Sequence, residues 1–577
     1  HSPVTIGFPV CFSLLVALPM TPMICALMLR EHEPVQRGPL KWFNDALASS
    51  TRGYVAGAIV IAKRRILPFL LFAAVAFGCW TVLKLSPTAF LPDEDQGVIF
   101  AGVQLPEGAS RPRTEAVVKP MVQEVMALPG VDSVMDIYGH NILGGEGENV
   151  ASLIIPLDPW GQRKAPDQQL SALVAKVNAI AAKYPQAQIN VVTPPPIQGL
   201  GMATGIDMRL ESTVDNDPVR LAEVMGIVLR ELNQAPEVNY AFCSFTADTP
   251  HLFVDIDRQK AELLEVPVST IFSTLQTYFG SAYINDINIG TQVNRVMLQS
   301  EWNYRNSIDR IGEIFVRSST GEQVPIQSVA TVKKTLAPRS LDRYNLYPTA
   351  AITIVMKQGY STGEGIARVH EIGERVLPDG YTYEWSGMTY QEEHAQGGIT
   401  MVLVIALIFA FLFLVAQYES WSTPVSVILS LPTAMLGALV GFRIMGIPLS
   451  VYGQLGILLL VGLASKNAIL IVEFAKEQRE LHGLPLIQAA AVAATERFRA
   501  VLMTAFTCVL GAALMLVASG AGAASRKAVG STLFFGMMAA TCIGIFLIPG
   551  LWVAFQGLRE KVKSRIGKNK NAEAQAN

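Results

Sequence analysis

Long apolar runs with almost no charged residues alternate with more polar segments along this chain. Each run is about as long as a helix must be to cross the hydrocarbon core of a bilayer. The pattern therefore predicts a polytopic α-helical membrane protein with about seven spans. The runs cover residues 2–29, 66–83, 397–416, 421–442, 451–472, 500–520 and 528–555.

The stretch between the second and third runs, residues 86–396, has the composition of a soluble protein. Strand-like and helix-like segments follow one another there in the order βαββαβ, the split pattern of ferredoxin-like folds. We therefore expect a large α+β insert between the membrane spans. The first copy of the pattern is predicted at Val98–Gln104, Arg113–Met126, Val131–Tyr138, Ala151–Leu157, Gln168–Ala182 and Gln188–Val192.

A second copy of the pattern begins at Ile206–Leu210, and residues 251–335 interrupt it as an inserted module. Between the two copies, Pro194–Pro196 precede Gly199, Gly201 and Gly205. A stiff stretch followed by glycines, which tolerate unusual backbone angles, predicts a linker or hinge. The remaining elements of the second copy are predicted at Val219–Leu232, Val238–Phe242, Ala350–Met356, Gly363–Val376 and Tyr381–Trp385.

Composition narrows the class of protein further. Of the 577 residues, 51% are apolar and only 16% are charged, whereas soluble domains carry about 25% charged residues. This composition excludes an ordinary cytosolic enzyme, and the net charge of −2 argues against a nucleic-acid partner. The sequence contains no P-loop, no metal-binding HExxH or CxxC spacing and no GxSxG nucleophile elbow. We therefore expect a transporter that uses an ion gradient, with no metal or other cofactor.

Loop charges predict the orientation in the membrane. Lysine and arginine are concentrated in residues 30–65 and 557–577, and the positive-inside rule places both segments in the cytoplasm. Counting spans then places residues 86–396 on the outer side. Residues 36–60 have apolar positions near helical spacing, which fits an interfacial helix or a plain connecting helix equally well. Because the chain opens inside an apolar run, we also expect it to start within a span of a longer protein.

Lys466 is the most informative residue, because it lies well inside the apolar run 451–472. A lysine at membrane depth costs about 2.5–3.5 kcal/mol on insertion scales and usually marks an ion or proton pathway. A buried ammonium also needs a carboxylate partner, and no apolar run here has one near that depth. We therefore expect the carboxylate from a segment outside this chain. Thr504 lies at a similar predicted depth, although it could instead bond back to its own helix.

Four motifs together resemble the resistance–nodulation–division (RND) efflux pumps, specifically the branch that exports hydrophobic and amphiphilic compounds. The resemblance extends over essentially the whole chain. Pumps of this family have two homologous halves of six spans, so the resemblance implies that this chain is the last span of a first half followed by a second half. The motifs are Phe90–Gly97 (FLPDEDQG), Tyr418–Pro424 (YESWSTP), Gly462–Lys476 (GLASKNAILIVEFAK) and Arg499–Thr504 (RAVLMT).

The resemblance also implies a domain organisation. Residues 1–29 would be the last span of the first half, 30–65 a cytoplasmic connector and 66–86 a further span. Residues 87–198 would form one periplasmic porter subdomain, and 199–250 with 336–392 the second. The module at 251–335 would be the funnel-like docking part, 393–556 a five-span bundle and 557–577 a cytoplasmic tail.

Site residues follow from the same resemblance. Lys466, Thr504 and Arg497 match the proton relay of the family. Residues 141–148 match the switch loop beside the drug pockets, although this sequence has Asn141 and Leu143 where well-known members have phenylalanines, and an ordinary glycine-rich hairpin remains an alternative. The remaining implied residues are Asp136, Tyr138, Ile154 and Met202 for substrate binding, and Gly144, Gly145, Gly147, Gly199, Gly201 and Gly205 for the switch loop and hinge.

The expected function is proton-driven export of drugs and other amphiphilic compounds from the periplasm or inner membrane of a bacterium. The resemblance implies a homotrimer that works with a periplasmic adaptor protein and an outer-membrane channel, in contact with membrane lipid. One alternative is the metal-cation-exporting branch of the family, for which Met202 and Met208 could supply thioether ligands. Another is an inactive, truncated half-pump.

Overall fold

The computed structural model describes residues 2–28, 38–64 and 66–576. Arg30, Arg37 and Arg65, three of the basic residues behind the predicted orientation, lie outside the described residues. The first helices contain the first two apolar runs. They are α1 (Ser2–Leu15), α2 (Thr21–Met28), α3 (Pro39–Lys63) and α4 (Leu67–Lys84), and a short π-helical turn joins α1 to α2.

The first lobe of the insert, lobe 1, is a four-stranded antiparallel sheet with two helices on one face. Its strands lie in the order β2-β3-β1-β4, and alternate residues of β1, Ile99 and Ala101 among them, are fully buried under the helices. The elements are β1 (Val98–Gln104), α5 (Arg111–Met126), β2 (Met135–His140), β3 (Glu146–Pro156), α6 (Leu170–Ala181) and β4 (Gln188–Val192).

Two predicted strand boundaries in lobe 1 are wrong. The strand predicted to begin at Val131 begins at Met135, because Val131 makes only a single bridge to Leu157 after the turn at Gly130. The strand predicted from Ala151 begins at Glu146, because the polar residues before Ala151 pair with β2 and with the end of β1.

The chain then enters the second lobe and leaves it for the inserted module. Within the module, β7 pairs with β12, β8 with β9 and β10 with β11. The elements are β5 (Ile206–Ser212), α7 (Pro218–Gln234), β6 (Val238–Cys243), β7 (Thr249–Ile256), α8 (Arg258–Leu263), α9 (Val268–Leu275), β8 (Ala282–Ile289), β9 (Gln292–Leu298), α10 (Asp309–Gly312), β10 (Phe315–Arg317), β11 (Gln323–Pro325) and β12 (Ala330–Ala337).

Lobe 2 is completed after the module. Its strands β6, β14, β5 and β15 lie side by side in that order, with the short β13 also pairing with β14. This arrangement repeats the strand order of lobe 1, with α7 and α11 packed on one face. The added elements are β13 (Asp342–Tyr344), β14 (Tyr347–Met356), α11 (Thr362–Val376) and β15 (Tyr381–Trp385).

The last part of the chain is a helical bundle, and small residues set the distance between its helices. A Cβ atom added at Gly456 would lie 2.8 Å from Thr532, and one at Gly437 would lie 2.5 Å from the Phe535 carbonyl. The helices are α12 (Gly387–Tyr418), α13 (Thr423–Ile428), α14 (Leu431–Met445), α15 (Val451–Glu480), α16 (Leu486–Leu516), α17 (Ala523–Ala539) and α18 (Ile545–Ala576).

Seven helical segments within the described residues are long and apolar enough to cross a membrane, which agrees with the predicted number. Residues 36–60 were predicted to be helical, and α3 covers most of them. Tyr54 holds α3 against the bundle, since its ring stacks on Phe498 at 4.7 Å and its hydroxyl donates to the Ile545 carbonyl at 3.1 Å. Trp42 and Phe43 of α3 are exposed.

Candidate functional site

Lys466 lies at the centre of α15, about 22 Å from either end of the helix. Its side chain is exposed in this structure, and its pairing with a carboxylate from outside this chain stays a prediction. It makes no hydrogen bond or ion pair with any described residue. The helix face around it is apolar and also exposed, because Leu459 and Leu463 have 53% and 36% of their surface accessible. The lysine is therefore a charge without a partner, among the described residues, at the centre of an uncovered apolar surface.

Arg497 and Thr504 lie on α16 along the side that faces α15. The Arg497 guanidinium stacks over the Phe474 ring of α15 at 4.5 Å, and Lys466 acts electrostatically on Cys508, one turn beyond Thr504. Because the two helices run in opposite directions, these contacts place Thr504 at about the same level as Lys466 along the helix pair. The structure therefore brings the three predicted relay residues onto one helix pair.

The Thr504 hydroxyl has a local partner. It donates to the Val501 carbonyl of its own helix at 3.1 Å, which is the alternative that the sequence had left open. No hydrogen bond joins Thr504 to Lys466 among the described residues. In this arrangement Thr504 is close to the lysine and satisfied by its own backbone, and it would have to rotate in order to bind the ammonium.

The glycine-rich segment predicted as a switch loop lies between the two lobes. A Cβ atom added at Gly144 would lie 2.1 Å from Ser244 of lobe 2, and one at Gly147 would overlap the Arg339 guanidinium. The loop proper is shorter than predicted, because residues 146–148 belong to β3. Gly145 adopts a positive φ of 83°, and no atom lies within 4 Å of the place that a Cβ atom would occupy there. Only glycine fits this close approach of the loop to lobe 2 at positions 144 and 147.

Asn141 and Leu143 turn back onto lobe 1. Both side chains cover Gly102 of β1, where a Cβ atom would lie 2.4 Å from the Asn141 amide oxygen. Asn141 also closes the turn, since its side chain accepts from the Leu143 N–H at 3.0 Å. These residues therefore cover the face of the sheet that carries no helices.

The structure does not bring all the predicted pocket residues to that face. Ile154 lies opposite Phe100 and Met135, on the face that Leu143 covers. Tyr138 lies on the other face, where it packs against the helix-side core and under Arg111 of α5. Asp136, two residues earlier in the same strand, shares the face of Tyr138 and is exposed. A single cavity on one side of the sheet cannot be lined by all of them.

An apolar contact between the lobes was missed by reasoning from the sequence. Phe100 of β1 and Leu143 pack against Phe242 and Tyr240 of β6, and the Tyr240 hydroxyl donates to the Val191 carbonyl. The sequence did contain a signal for this contact. The aromatic residues of β1 and β6 stand at the alternating strand positions that face away from the helices. Together they form an apolar contact that joins the two lobes.

The predicted hinge glycines have different surroundings. Gly199 has φ of +88° and open space at its Cβ position, whereas a Cβ at Gly205 would lie 2.4 Å from the Ile354 carbonyl oxygen. The Thr204 N–H donates to the Thr193 carbonyl at 2.8 Å and closes the base of the linker. Gly205 therefore belongs to the fixed base and Gly199 to the free tip, while Gly201 is held, because a Cβ atom there would lie 2.6 Å from the Asp207 carboxylate. A hinge motion at the tip stays a prediction.

Of the two methionines considered as metal ligands, one is exposed and the other is buried. Met202 lies on the linker with 56% of its surface accessible, while Met208 is 2% accessible in the core of lobe 2. In the part of the chain that the structure describes, no cluster of histidine, cysteine and carboxylate side chains could hold a metal ion.

Glu392, near the start of α12, is a buried carboxyl group where the membrane bundle meets lobe 2. It accepts from the Thr362 hydroxyl at 2.9 Å and from the Phe90 N–H, and it lines a mostly apolar cavity of about 440 Å³. Burial raises the pKa of Glu392 from 4.5 to about 7, and the neighbouring Glu393 and Asp93 add to the increase.

We expect Glu392→Gln to stabilise the fold at alkaline pH and to leave stability unchanged at acidic pH. The raised pKa means that the folded state resists ionisation, so the wild type loses stability as pH rises from about 4.5 to 7. Above that range the loss amounts to at most about 3 kcal/mol. Melting temperatures at pH 4.5 and pH 8 measure the effect, with Glu393→Gln, the exposed next residue, as control. Equal pH dependence of Glu392→Gln and wild type would contradict this assignment.

Comparison with known proteins shows to which family the sequence of this chain is similar. The AcrB/AcrD/AcrF family matches residues 3–556. The chain is 35% identical over 563 residues to the toluene efflux pump membrane transporter TtgB of Pseudomonas putida, covering 96% of this chain and 53% of that protein.

Two further relatives show similar coverage. The solvent-resistant pump membrane transporter SrpB of Pseudomonas putida is 32% identical over 575 residues, covering 98% of this chain and 54% of the relative. The multidrug export protein AcrF of Escherichia coli is 31% identical over 565 residues, covering 96% and 54%. The chain thus spans about half the length of these curated relatives. It belongs to the AcrB/AcrD/AcrF family of RND transporters.

Proposed function

We propose that this chain is the second half of a proton-driven pump that exports drugs, solvents and other amphiphilic compounds. The observation that carries the proposal is Lys466, an unpaired ammonium at the centre of an exposed apolar helix face. Such a charge is costly in a membrane unless an acidic group lies opposite it. The proposed first half covers this face and supplies the carboxylate.

The proposed coupling follows from the charge balance. While the carboxylate is ionised, it holds the ammonium of Lys466 in an ion pair. Proton uptake neutralises the carboxylate and removes the attraction, so the lysine can turn toward Thr504, which lies at a similar level on the neighbouring helix. The two protonation states thus favour two positions of α15 relative to the first half. No cofactor enters this scheme, because the proton gradient supplies the free energy.

The two lobes would act on the outer side of the membrane. We assign lobe 1 and lobe 2 as porter subdomains in the periplasm of a bacterium, with substrates passing between the lobes beside the apolar contact of Phe100, Tyr240 and Phe242. The names of the relatives, which refer to toluene, solvents and multiple drugs, support amphiphilic molecules of low charge. Apolar and aromatic surfaces suit such ligands, because burial of apolar area provides affinity without demanding fixed polar geometry.

The remaining assignments rest on the family. The proposed assembly is a homotrimer in the inner membrane, joined by a periplasmic adaptor protein and an outer-membrane channel. The inserted module at 251–335 would contact these partners. A metal-cation exporter is the second candidate function, and the burial of Met208 away from Met202 disfavours it, because soft cations need several thioethers in contact.

The test uses a full-length pump that carries these 577 residues as its second half, expressed in a strain without its own pumps. We expect ethidium to be exported, and export to stop when a protonophore collapses the gradient. Growth on silver or cuprous salts is the comparison arm. Metal resistance without dye export would favour the metal-cation exporter and overturn the proposal.

A further inference from the structure

The segment Phe90–Gly97, called the strap here, connects α4 to the first strand of lobe 1. At its beginning it is bound to the start of α15, the helix that carries Lys466. The Phe90 carbonyl accepts from the Val451 N–H at 3.0 Å, and just before it Ala89 donates to the Leu449 carbonyl at 3.3 Å. The first part of the strap is therefore attached to the membrane bundle.

The end of the strap is bound to lobe 1. Asp95 forms an ion pair of 3.0 Å with Arg163, whose side chain is almost fully buried. The Trp160 indole donates to the Asp95 carbonyl at 3.2 Å, and the Leu157 N–H donates to the Gly97 carbonyl at 2.8 Å. Because a buried ion pair is rigid and costly to separate, this end moves with lobe 1.

Between these ends, the carboxylate of Glu94 caps a membrane helix. It accepts from the N–H groups of Ala524 at 3.2 Å and Ser525 at 2.8 Å, and the Ser525 hydroxyl donates to it as well. The N-cap of α17 is Gly522, which has no side chain, and the first turn contains no acidic residue. Glu94 therefore satisfies the free N–H groups and complements the positive end of the helix from 430 residues away.

The capped helix is closely packed against the Lys466 helix. Gly456 of α15 lies directly against Thr532 of α17, and Gly536 of α17 lies against Leu460 of α15, each too close for an added Cβ atom. A shift of α15 must therefore displace α17 too. These contacts make a continuous path from α15 through α17, Glu94 and the Asp95–Arg163 pair to lobe 1.

We infer that the strap couples the Lys466 helix pair to lobe 1, with Glu94 as the positioning residue that transmits movement of α17. The inference rests on the proposed function, because it explains how a change at Lys466 reaches the substrate cleft. A demonstrated coupling requires that a change at one end alters the other end through this residue.

The experiment measures hydrogen exchange and dye export in the full-length pump. In wild type we expect Lys466→Ala to change exchange at residues 157–163, and in a Glu94→Ala background we expect no such change. Glu94→Ala alone should speed exchange at Ala524 and Ser525 roughly tenfold, as for loss of a helix cap. It should also reduce export several-fold without weakening dye binding, and Glu94→Gln should fall between.

The matched control is Glu115→Ala, which removes a lobe 1 carboxylate that pairs only within its own helix. Faster exchange at α17 with unchanged export, or a response at 157–163 that persists without Glu94, would overturn the coupling. A wild-type pump that exports no dye would refute the proposed function, while the exchange response at 157–163 would still decide the role of the strap.

Discussion

Lys466→Ala is expected to reduce dye export by the full-length pump to the level of a strain without pumps. The substitution removes the charge at the centre of the uncovered face of α15, and with it the group that answers protonation of the opposing carboxylate. Folding should be little affected, because the lysine makes no hydrogen bond or ion pair within the described residues and its side chain is exposed. Export of ethidium in energised cells measures the effect, with protein amount determined in parallel.

Lys476→Ala provides the matched control for that experiment. Lys476 lies ten residues further along the same helix, where its ammonium donates to the Tyr418 carbonyl at 3.1 Å and lies over the Tyr418 ring. It is a lysine of α15 with a structural partner, so its loss should lower thermal stability slightly and leave export coupled to the gradient. If the Lys466 variant retained protonophore-sensitive export, the relay assignment would be wrong.

The elements of the insert were largely predictable, because their apolar alternation is local. The strands at Val98–Gln104, Gln188–Val192 and Tyr381–Trp385 have the predicted bounds. The first residues of β3 were missed, since Glu146–Asn149 has no strand-like composition and is held only by its neighbours β1 and β2. Tertiary pairing decided the structure of that segment against its local preference.

The candidate site was predictable in type but less so in geometry. Lys466 was noticeable because a lysine inside an apolar run is costly to place in a membrane, and Thr504 was assigned a similar depth in the membrane. The sequence left open whether Thr504 bonds to its own helix, as it does, and it did not show how exposed Lys466 is on this chain. The contact of Glu94 with Ser525 joins residues more than 400 positions apart, and a single sequence contains no signal for such a pair.

Gly456→Leu is expected to prevent the bundle from packing. A side chain at this position would have to displace Thr532, whose atoms lie 2.8–3.1 Å from the Cβ position, and both helices are buried at this contact. Overpacking of a close helix pair commonly costs about 1–3 kcal/mol, and more when backbones must separate. We expect most of the detergent-solubilised chain to aggregate in size-exclusion chromatography and its remaining folded fraction to melt at a lower temperature.

The control for packing is Gly462→Leu on the same helix, where no atom lies within 4 Å of the Cβ position. Leucine also favours a helix more than glycine does, by somewhat under about 1 kcal/mol, so this variant of the chain should melt at the same or a higher temperature. Gly462 lies one turn before Lys466, in the face that the proposed first half covers. In the full-length pump the same leucine should therefore impair export while the chain itself stays folded. Normal export by Gly462→Leu would show that this face is not closely covered, and the source of the carboxylate for Lys466 would have to be sought elsewhere.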